Sequence, residues 1–336
     1  MASLLAAIDF SSPDGSDVRQ ALTVLQPGLH ADAARSLIAS QSTFTAWRHD
    51  ALQRASHTCN GRYVYATPFG KHESRSAGGN GWRADEAGVF LGMESVTDGN
   101  VFSLHGTLAK KRLKSKLERG TADDASLTAG ADALWRPQSS AWHLAAGVSA
   151  SYDAVHAKRR AVFAESHFAA NDKYSVWGLG AFAGTGGTWQ TAGFTLTPYA
   201  RLSTQVLRQD AVKEHSDAGA ALKIRHATLQ SLASSLGVRA AASAKASDGT
   251  NADFSASTAW NHEFLSRYGK LHAAFREADN ASFTTDVKPL ARESAEVMAS
   301  MKLEKNSFAF SATLGGEAFS GTGSEGFLQL QLGWKF

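Results

Sequence analysis

The most constraining feature of this chain is a period of two that persists to its last residue. In 326–336, Leu328, Leu330, Leu332, Trp334 and Phe336 alternate with Gln329, Gln331, Gly333 and Lys335. Phe308, Phe310, Ala312 and Leu314 repeat the pattern upstream, as do Ala295, Val297, Ala299, Met301 and Leu303. So do Phe254, Ala256, Trp260 and Phe264, and Phe194, Leu196, Ala200, Leu202 and Val206. Farther back lie Trp142, Leu144, Ala146 and Val148, then Leu127, Ala129, Ala131 and Ala133, then Val89, Leu91 and Met93. Successive side chains of a strand point to opposite faces, so each run has one apolar and one polar face. Alternating segments of roughly ten residues are the pattern of a strand crossing a membrane in a closed barrel. The spacing predicts about twelve strands on that logic, at 62–73, 84–96, 99–113, 120–136, 140–157, 172–189, 192–208, 227–245, 252–265, 292–304, 307–319 and 324–336.

Composition removes most other classes. No apolar run approaches the ~18 residues of a membrane-spanning helix. One cysteine, Cys59, excludes a disulfide framework and a cysteine-based zinc site. The net charge of +3 is too small to argue for a nucleic-acid partner. No HExxH, GxSxG or CxxC motif occurs. A GxGxxG spacing at Gly321, Gly323 and Gly326 is followed by a strand, not the helix that dinucleotide binding requires. The chain is therefore expected to be no enzyme and to need no cofactor or metal.

The beginning of the chain differs from the rest. Residues 17–56 are rich in the helix formers Ala, Leu, Arg and Gln, with a break at Pro27-Gly28. From Leu29 to Ser56 a helix would span roughly 40 Å at ~1.5 Å per residue. Its sides are mixed, with Arg35, Arg48, His49, Asp50 and Arg54 among Leu37, Ile38, Phe44, Trp47 and Leu52. Such a helix cannot face lipid and belongs in a polar pore or on a protein surface. The expected division is thus a lead at 1–16, a pore helix at 17–60 and a barrel at 61–336.

If the apolar alternants face lipid, Glu94, Asp132, Arg201, Glu263, Glu296, Lys302 and Lys335 face the lumen, where charge is tolerated. The expectation is that Glu94, Asp132, Glu263 and Glu296 pair with Arg35, Arg48 or Arg54 of the helix; a solvated lumen without specific pairs is the alternative. Inward glycines such as Gly88, Gly92, Gly130 and Gly333 would leave room for the helix. Predicted connections alternate between short ones (97–98, 137–139, 190–191, 246–251, 305–306) and long ones (74–83, 158–171, 209–226, 266–291), as periplasmic turns and outer loops do, although two outer connections, 114–119 and 320–323, are shorter than that scheme requires. Trp135, Trp142, Trp189, Phe194, Trp334 and Phe336 fall beside the short turns, as an aromatic girdle would. Basic runs at 110–119 and 158–160 fall at predicted outer ends, where solvated loops or lipopolysaccharide phosphate are the two readings.

A helix followed by twelve alternating strands ending in an aromatic residue resembles the translocator unit of autotransporters, the type V secretion proteins of Gram-negative bacteria. The residues that carry the resemblance are the linker-like stretch ALTVLQPGLHADAARSLIASQSTFTAWRHDALQR, GVFLGME at Gly88–Glu94, TAWNHEF at Thr258–Phe264 and the closing LQLQLGWKF. The resemblance implies an all-β membrane protein, a 12-stranded antiparallel outer-membrane barrel with an N-terminal helix threaded through its pore. It implies export or anchoring of an upstream passenger at the cell surface. It further implies a C-terminal signal for the barrel assembly machinery, at Leu330, Leu332, Trp334 and Phe336. The expected partners are outer-membrane lipids, lipopolysaccharide, that machinery and the attached passenger; no nucleic acid is expected, and the barrel is expected to be monomeric. A stand-alone porin or channel is the main alternative, and an outer-membrane lipid hydrolase a lesser one. The start, MASLLAAIDF, lacks a basic n-region and is a poor signal peptide, so the chain reads as an excised domain or a fragment of a longer gene. No adjacent asparagine pair lies between Asp17 and Ser56, which leaves cleavage of the helix open.

Overall fold

In the computed structural model, residues 26–56, 60–77, 80–115, 120–137, 140–163, 166–191, 193–216, 221–289 and 291–336 are described. Among these residues one helix, α1 (Gly28–Ala55), precedes seventeen strands. Twelve of them form a closed antiparallel barrel. These are β1 (Gly61–Ala77), β2 (Asn80–Thr97), β3 (Asn100–Ser115), β4 (Thr121–Trp135), β5 (Trp142–Phe163), β6 (Ser166–Gly187), β8 (Phe194–Gln209), β11 (Ala227–Lys245), β12 (Asn251–Glu263), β15 (Glu293–Lys305), β16 (Phe308–Phe319) and β17 (Gly323–Lys335). Each pairs with the next, and β17 closes the ring on β1 from Tyr63↔Lys335 to Arg75↔Gly323. Closure satisfies every strand edge, which a sheet in hydrocarbon requires.

The twelve strands expected from alternation agree with these elements within a few residues, except at the outer ends. There β1, β2, β5 and β6 run on into 74–83 and 158–171, stretches expected as long loops. The reason is physical. Above a lipid-facing band the outward residues become polar, so the apolar alternation stops while the hydrogen-bonded ladder continues. The loops at 209–226 and 266–291 also carry structure: β9 (Val212–Lys213), β10 (Leu222–Ile224), β13 (Gly269–Phe275) and β14 (Ala278–Val287) form a second, four-stranded sheet. A three-residue strand, β7 (Trp189–Thr191), extends the turn into β8. Short turns lie at the opposite end, and the link from β2 to β3 places Asp98 and Gly99 at φ 51° and 77°. Two left-handed central residues make the tight hairpin turn whose twist matches its strands, and Asp-Gly suits it.

The barrel inverts the burial of a soluble protein. Leu108, Leu127, Val148, Leu179, Leu314 and Leu332 are exposed on its outer face, whereas Lys71, Glu73, Glu86, Asp132 and Arg201 are buried on its inner face. Trp135, Trp142, Trp189, Phe194, Trp334 and Phe336 are exposed at the short-turn end, and Trp142 packs edge-on against Trp189 at 6.1 Å. Leu330, Leu332 and Trp334 lie on the outer face of β17, the strand that closes the ring, and the following Phe336 donates its backbone N–H to Arg62 O (3.0 Å). No helix is long and apolar enough to cross a membrane among the described residues.

Candidate pore and the helix within it

Helix α1 is buried on nearly every side, from Leu29, Ala33 and Leu37 to Arg48, His49, Asp50 and Gln53. A polar helix buried all round has only a polar, protein-lined surrounding open to it, and here that surrounding is the lumen. Its 28 residues give a length of ~42 Å. The helix begins without a side-chain cap after Pro27, and Ala31 donates its N–H to Pro27 O. Residues 1–25, including the segment expected to begin the helix at Asp17, lie outside the described residues.

At the end with the long loops, α1 packs in an apolar cluster. Leu29, Ala33, Ala34, Leu37 and Ile38 meet Trp82, Leu113, Val155 and Leu207 of the wall and Leu222, Ile224, Leu271 and Val287 of the second sheet. That sheet therefore acts as a lid over the helix start. A buried charged cluster ties the two together. Glu214, between β9 and β10, takes a bidentate pair from Arg159 of β5 (3.0 and 2.7 Å), and His30 Nε2 donates to it at 3.1 Å. The Leu222 N–H donates to it as well (2.8 Å), and Tyr174 stands 3.3 Å from the other nitrogen of His30. Burial disfavours the charge of Glu214, but the hydrogen bonds from His30 and Arg159 and the Arg159 charge outweigh it and hold the carboxyl down at about 2.

The middle of α1 is held by wall charges. Ser40 Oγ donates to Glu86 (2.7 Å), Lys71 Nζ donates to Ser40 Oγ (3.0 Å), and Lys111 Nζ donates to Ser36 O (3.1 Å). Lys71 and Lys111 both pair with Glu86, at 3.4 and 3.5 Å. Thr43 donates to Glu325 (2.7 Å), and Arg75 bridges Glu73 and Glu325 (2.9 and 3.4 Å). Below this, Phe44 and Trp47 pack edge-on or tilted against Phe69 and Phe327, with centroids 4.9–5.5 Å apart.

Among the expected charges, Arg48 meets Asp132 at 3.3 Å, and His105 reaches the same carboxylate at 3.0 Å. The other arginines choose different partners. Arg35 pairs with Asp32 of its own helix (2.7 Å) and donates to Lys288 O beside the lid (2.8 Å). Arg54 pairs with Asp50 one turn earlier and donates to Ser300 and Thr313 of the wall (3.0 and 3.3 Å). Glu263 accepts from the Leu232 and Leu265 backbone N–H groups (3.2 and 3.0 Å) and from Ser231 Oγ at 2.5 Å, so it does not meet Arg48. Glu94 lines a cavity of about 50 Å³ with Arg54, Tyr65 and Lys302, and Glu296 lines one of about 110 Å³ with Arg35 and Arg201.

Several wall and lid groups that hold the helix escaped the sequence reading: Glu73, Glu86, Lys71, Glu325 and Glu214. Lys111 and Arg159 belong to the basic runs expected at the outer ends, yet alternation turns both inward, where they are buried. The inward glycines also act differently from expectation. A Cβ at Gly92 would strike the Tyr65 ring and one at Gly130 the His105 ring, so these accommodate wall side chains. Room for the helix comes from Gly120 and Gly184, where a Cβ would lie 2.9 Å from Leu29 and 3.2 Å from His49.

This architecture has known counterparts. A family model described as "Autotransporter beta-domain" matches residues 64–316, well over half of the chain. The translocator domain of the autotransporter NalP from Neisseria meningitidis matches with a TM-score of 0.70 at 14% identity, covering 91% of this chain and 99% of that one. The beta domain of the Bordetella autotransporter BrkA matches at 0.58 and 12% identity, over 82% of this chain and 100% of its own. The transport unit of AIDA-I from Escherichia coli matches at 0.55 and 12%, over 83% and 92%. At these identities the three likenesses establish the fold. No curated protein sequence matches the chain.

Proposed function

Because the chain belongs to the autotransporter beta-domain family, we propose that it inserts in the outer membrane of a Gram-negative bacterium and exports or anchors a passenger at the cell surface. The observation that carries this reading is the direction of α1. Its C-terminal end lies at the short-turn end of the barrel, close to the start of β1, and its N-terminal end lies under the lid at the long-loop end. Short turns face the periplasm in such barrels. Whatever precedes Gly28 is then delivered to the outside. The family and the structures it resembles are transport units, which supports a translocator over a catalyst.

In this reading Arg48, held by Asp132 and His105, keeps the helix in the pore, with Arg54 and Arg35 locking its two ends. Glu94, Glu263 and Glu296 line the wall around it. The exposed apolar face meets lipid, and Leu330, Leu332, Trp334 and Phe336 supply the strand read by the assembly machinery. A closed ring leaves no edge to pair with a second copy, which supports a monomer. A lumen filled by its own helix argues against an open porin.

An epitope tag placed ahead of Gly28, behind a signal peptide, tests the direction of transport. On intact Gram-negative cells the tag is expected to be accessible from outside, on a barrel whose gel migration is heat-modifiable. A tag confined to the periplasm beside a folded barrel would sink the proposal.

A further inference from the structure

The strands that project beyond the apolar band carry outward charge in rows that differ in kind, past a row of Ala87, Lys110, Ala125, Ala154 and Ser175 that holds one cation. The outermost apolar row crosses the sheet as Val89, Leu108, Leu127, Tyr152 and Trp177, one residue on each of β2 to β6. Four residues farther out along each strand, the register aligns Asp85, Arg112, Asp123, His156 and Lys173. Both carboxylates of this row are paired: Arg112 meets Asp123 at 2.6 Å, and Asp85 meets His72 of β1 at 2.7 Å. The next row, two residues farther, is Ser74, Arg83, Lys114, Thr121, Lys158 and Asn171. It holds three cations, three neutral hydrogen-bonding groups and no carboxylate.

Arg83, Lys114 and Lys158 are exposed on the outward face. Arg83 and Lys114 sit directly opposite each other on β2 and β3. Like charges at such positions, with Cβ atoms about 5 Å apart, oppose the pairing of their strands. Among the described residues, no ion pair links any of the three to a carboxylate: Asp85 is paired with His72, and Asp123, which also feels the Lys158 charge, is held by Arg112. Lys114 and Lys158 flank Thr121, so the cations span three strand spacings, roughly 14 Å. The row stands six residues beyond the apolar band, or roughly 15 Å of height at the usual barrel tilt. That is the zone of headgroups and the sugars above them.

Resting on the outer-membrane reading, we propose that Arg83, Lys114 and Lys158, with Thr121 between them, bind the phosphate groups of lipopolysaccharide on the outer flank of the barrel. Their spread suits a headgroup with more than one anion, which a single-phosphate phospholipid lacks. The sideways orientation suits a neighbour in the same leaflet.

The full chain, refolded in zwitterionic detergent, is titrated with purified lipopolysaccharide and with the same lipopolysaccharide after enzymatic dephosphorylation. The triple variant Arg83→Gln, Lys114→Gln, Lys158→Gln should bind the phosphorylated form at least tenfold more weakly while its heat-modifiable migration is kept. The variant Arg112→Gln, Asp123→Asn, which alters the paired row, should stay within twofold of the unmodified chain. Unchanged binding by the triple variant, an equal loss in the paired-row variant, or equal affinity for both forms of lipopolysaccharide would overturn the site. An unmodified chain that never forms a heat-modifiable barrel would instead overturn the membrane reading beneath it.

Discussion

The two halves of helix α1 are held by opposite means. Its first half, Leu29 to Ile38, is packed in an apolar cluster closed from above by the lid sheet, with one buried ionic knot at Glu214. Its second half, Ser40 to Ala55, meets wall charges at Glu86 and Asp132 and offers its own Asp50 to Arg239 of the wall, interrupted by the rings around Trp47. Apolar contact is non-directional and survives small displacements. Buried ion pairs are specific in geometry, and losing one partner leaves an uncompensated charge. The difference implies a lid that seals and a lower wall that fixes register.

The largest effects should come from the two buried carboxylates that take cations on or beside α1, Asp132 below and Glu214 above. Asp132→Asn leaves Arg48 and His105 without their shared carboxylate and should cost about 3–5 kcal/mol, the range for breaking a buried pair. The denaturation midpoint of the refolded barrel measures it, and a loss below 1 kcal/mol would show that the lumen solvates Arg48. Glu214→Gln likewise leaves Arg159 buried without its carboxylate and should cost about 3–5 kcal/mol, but here the cost should fall on the lid. Limited proteolysis would then cut 209–226 and 266–291 faster while the barrel stays intact.

Acid should reproduce that second effect. The folded carboxyl of Glu214 titrates at about 2, below its ordinary value of 4.5. Its contribution is thus fully present above pH 4.5 and is lost as pH falls towards 2. A lid that opens between pH 6 and 8 would assign its closure to another group. A smaller effect is expected from Gly184→Ala, because the new Cβ would lie 3.0 Å from Ala200 O and 3.2 Å from His49. Overpacking of this kind costs about 1–3 kcal/mol, so a neutral result would mean that the helix shifts freely at this level. Asp248→Asn, in the exposed turn that meets Lys305, should leave both lid and plug unchanged in the same assays.

The same contrast explains what was legible in the sequence. Strand β11, Ala227–Lys245, agrees with its expected range, because lipid on one face and lumen on the other impose alternation on every residue between. The lid was invisible because Leu222, Ile224, Leu271 and Ala273 alternate over only a few residues within stretches dominated by polar side chains. The inward direction of Asp132 and Glu263 followed from alternation, but their partners did not. Partnership depends on the rotation and depth of α1, and no local spacing encodes either. Thus Arg54 turns to Asp50 on its own helix, and Glu263 turns to the backbone of Leu232 and Leu265. Lys111 shows a signal that was available: it follows Lys110 and precedes Arg112, so one of three adjacent cations had to face inward.

Ion flow through single barrels in a planar bilayer decides whether α1 fills the pore. The full chain should pass a small current, because the helix and its charged collar occupy the lumen. Removal of 26–56 should raise the conductance several-fold in a barrel that keeps its heat-modifiable migration. Equal conductance with and without the helix would contradict the account.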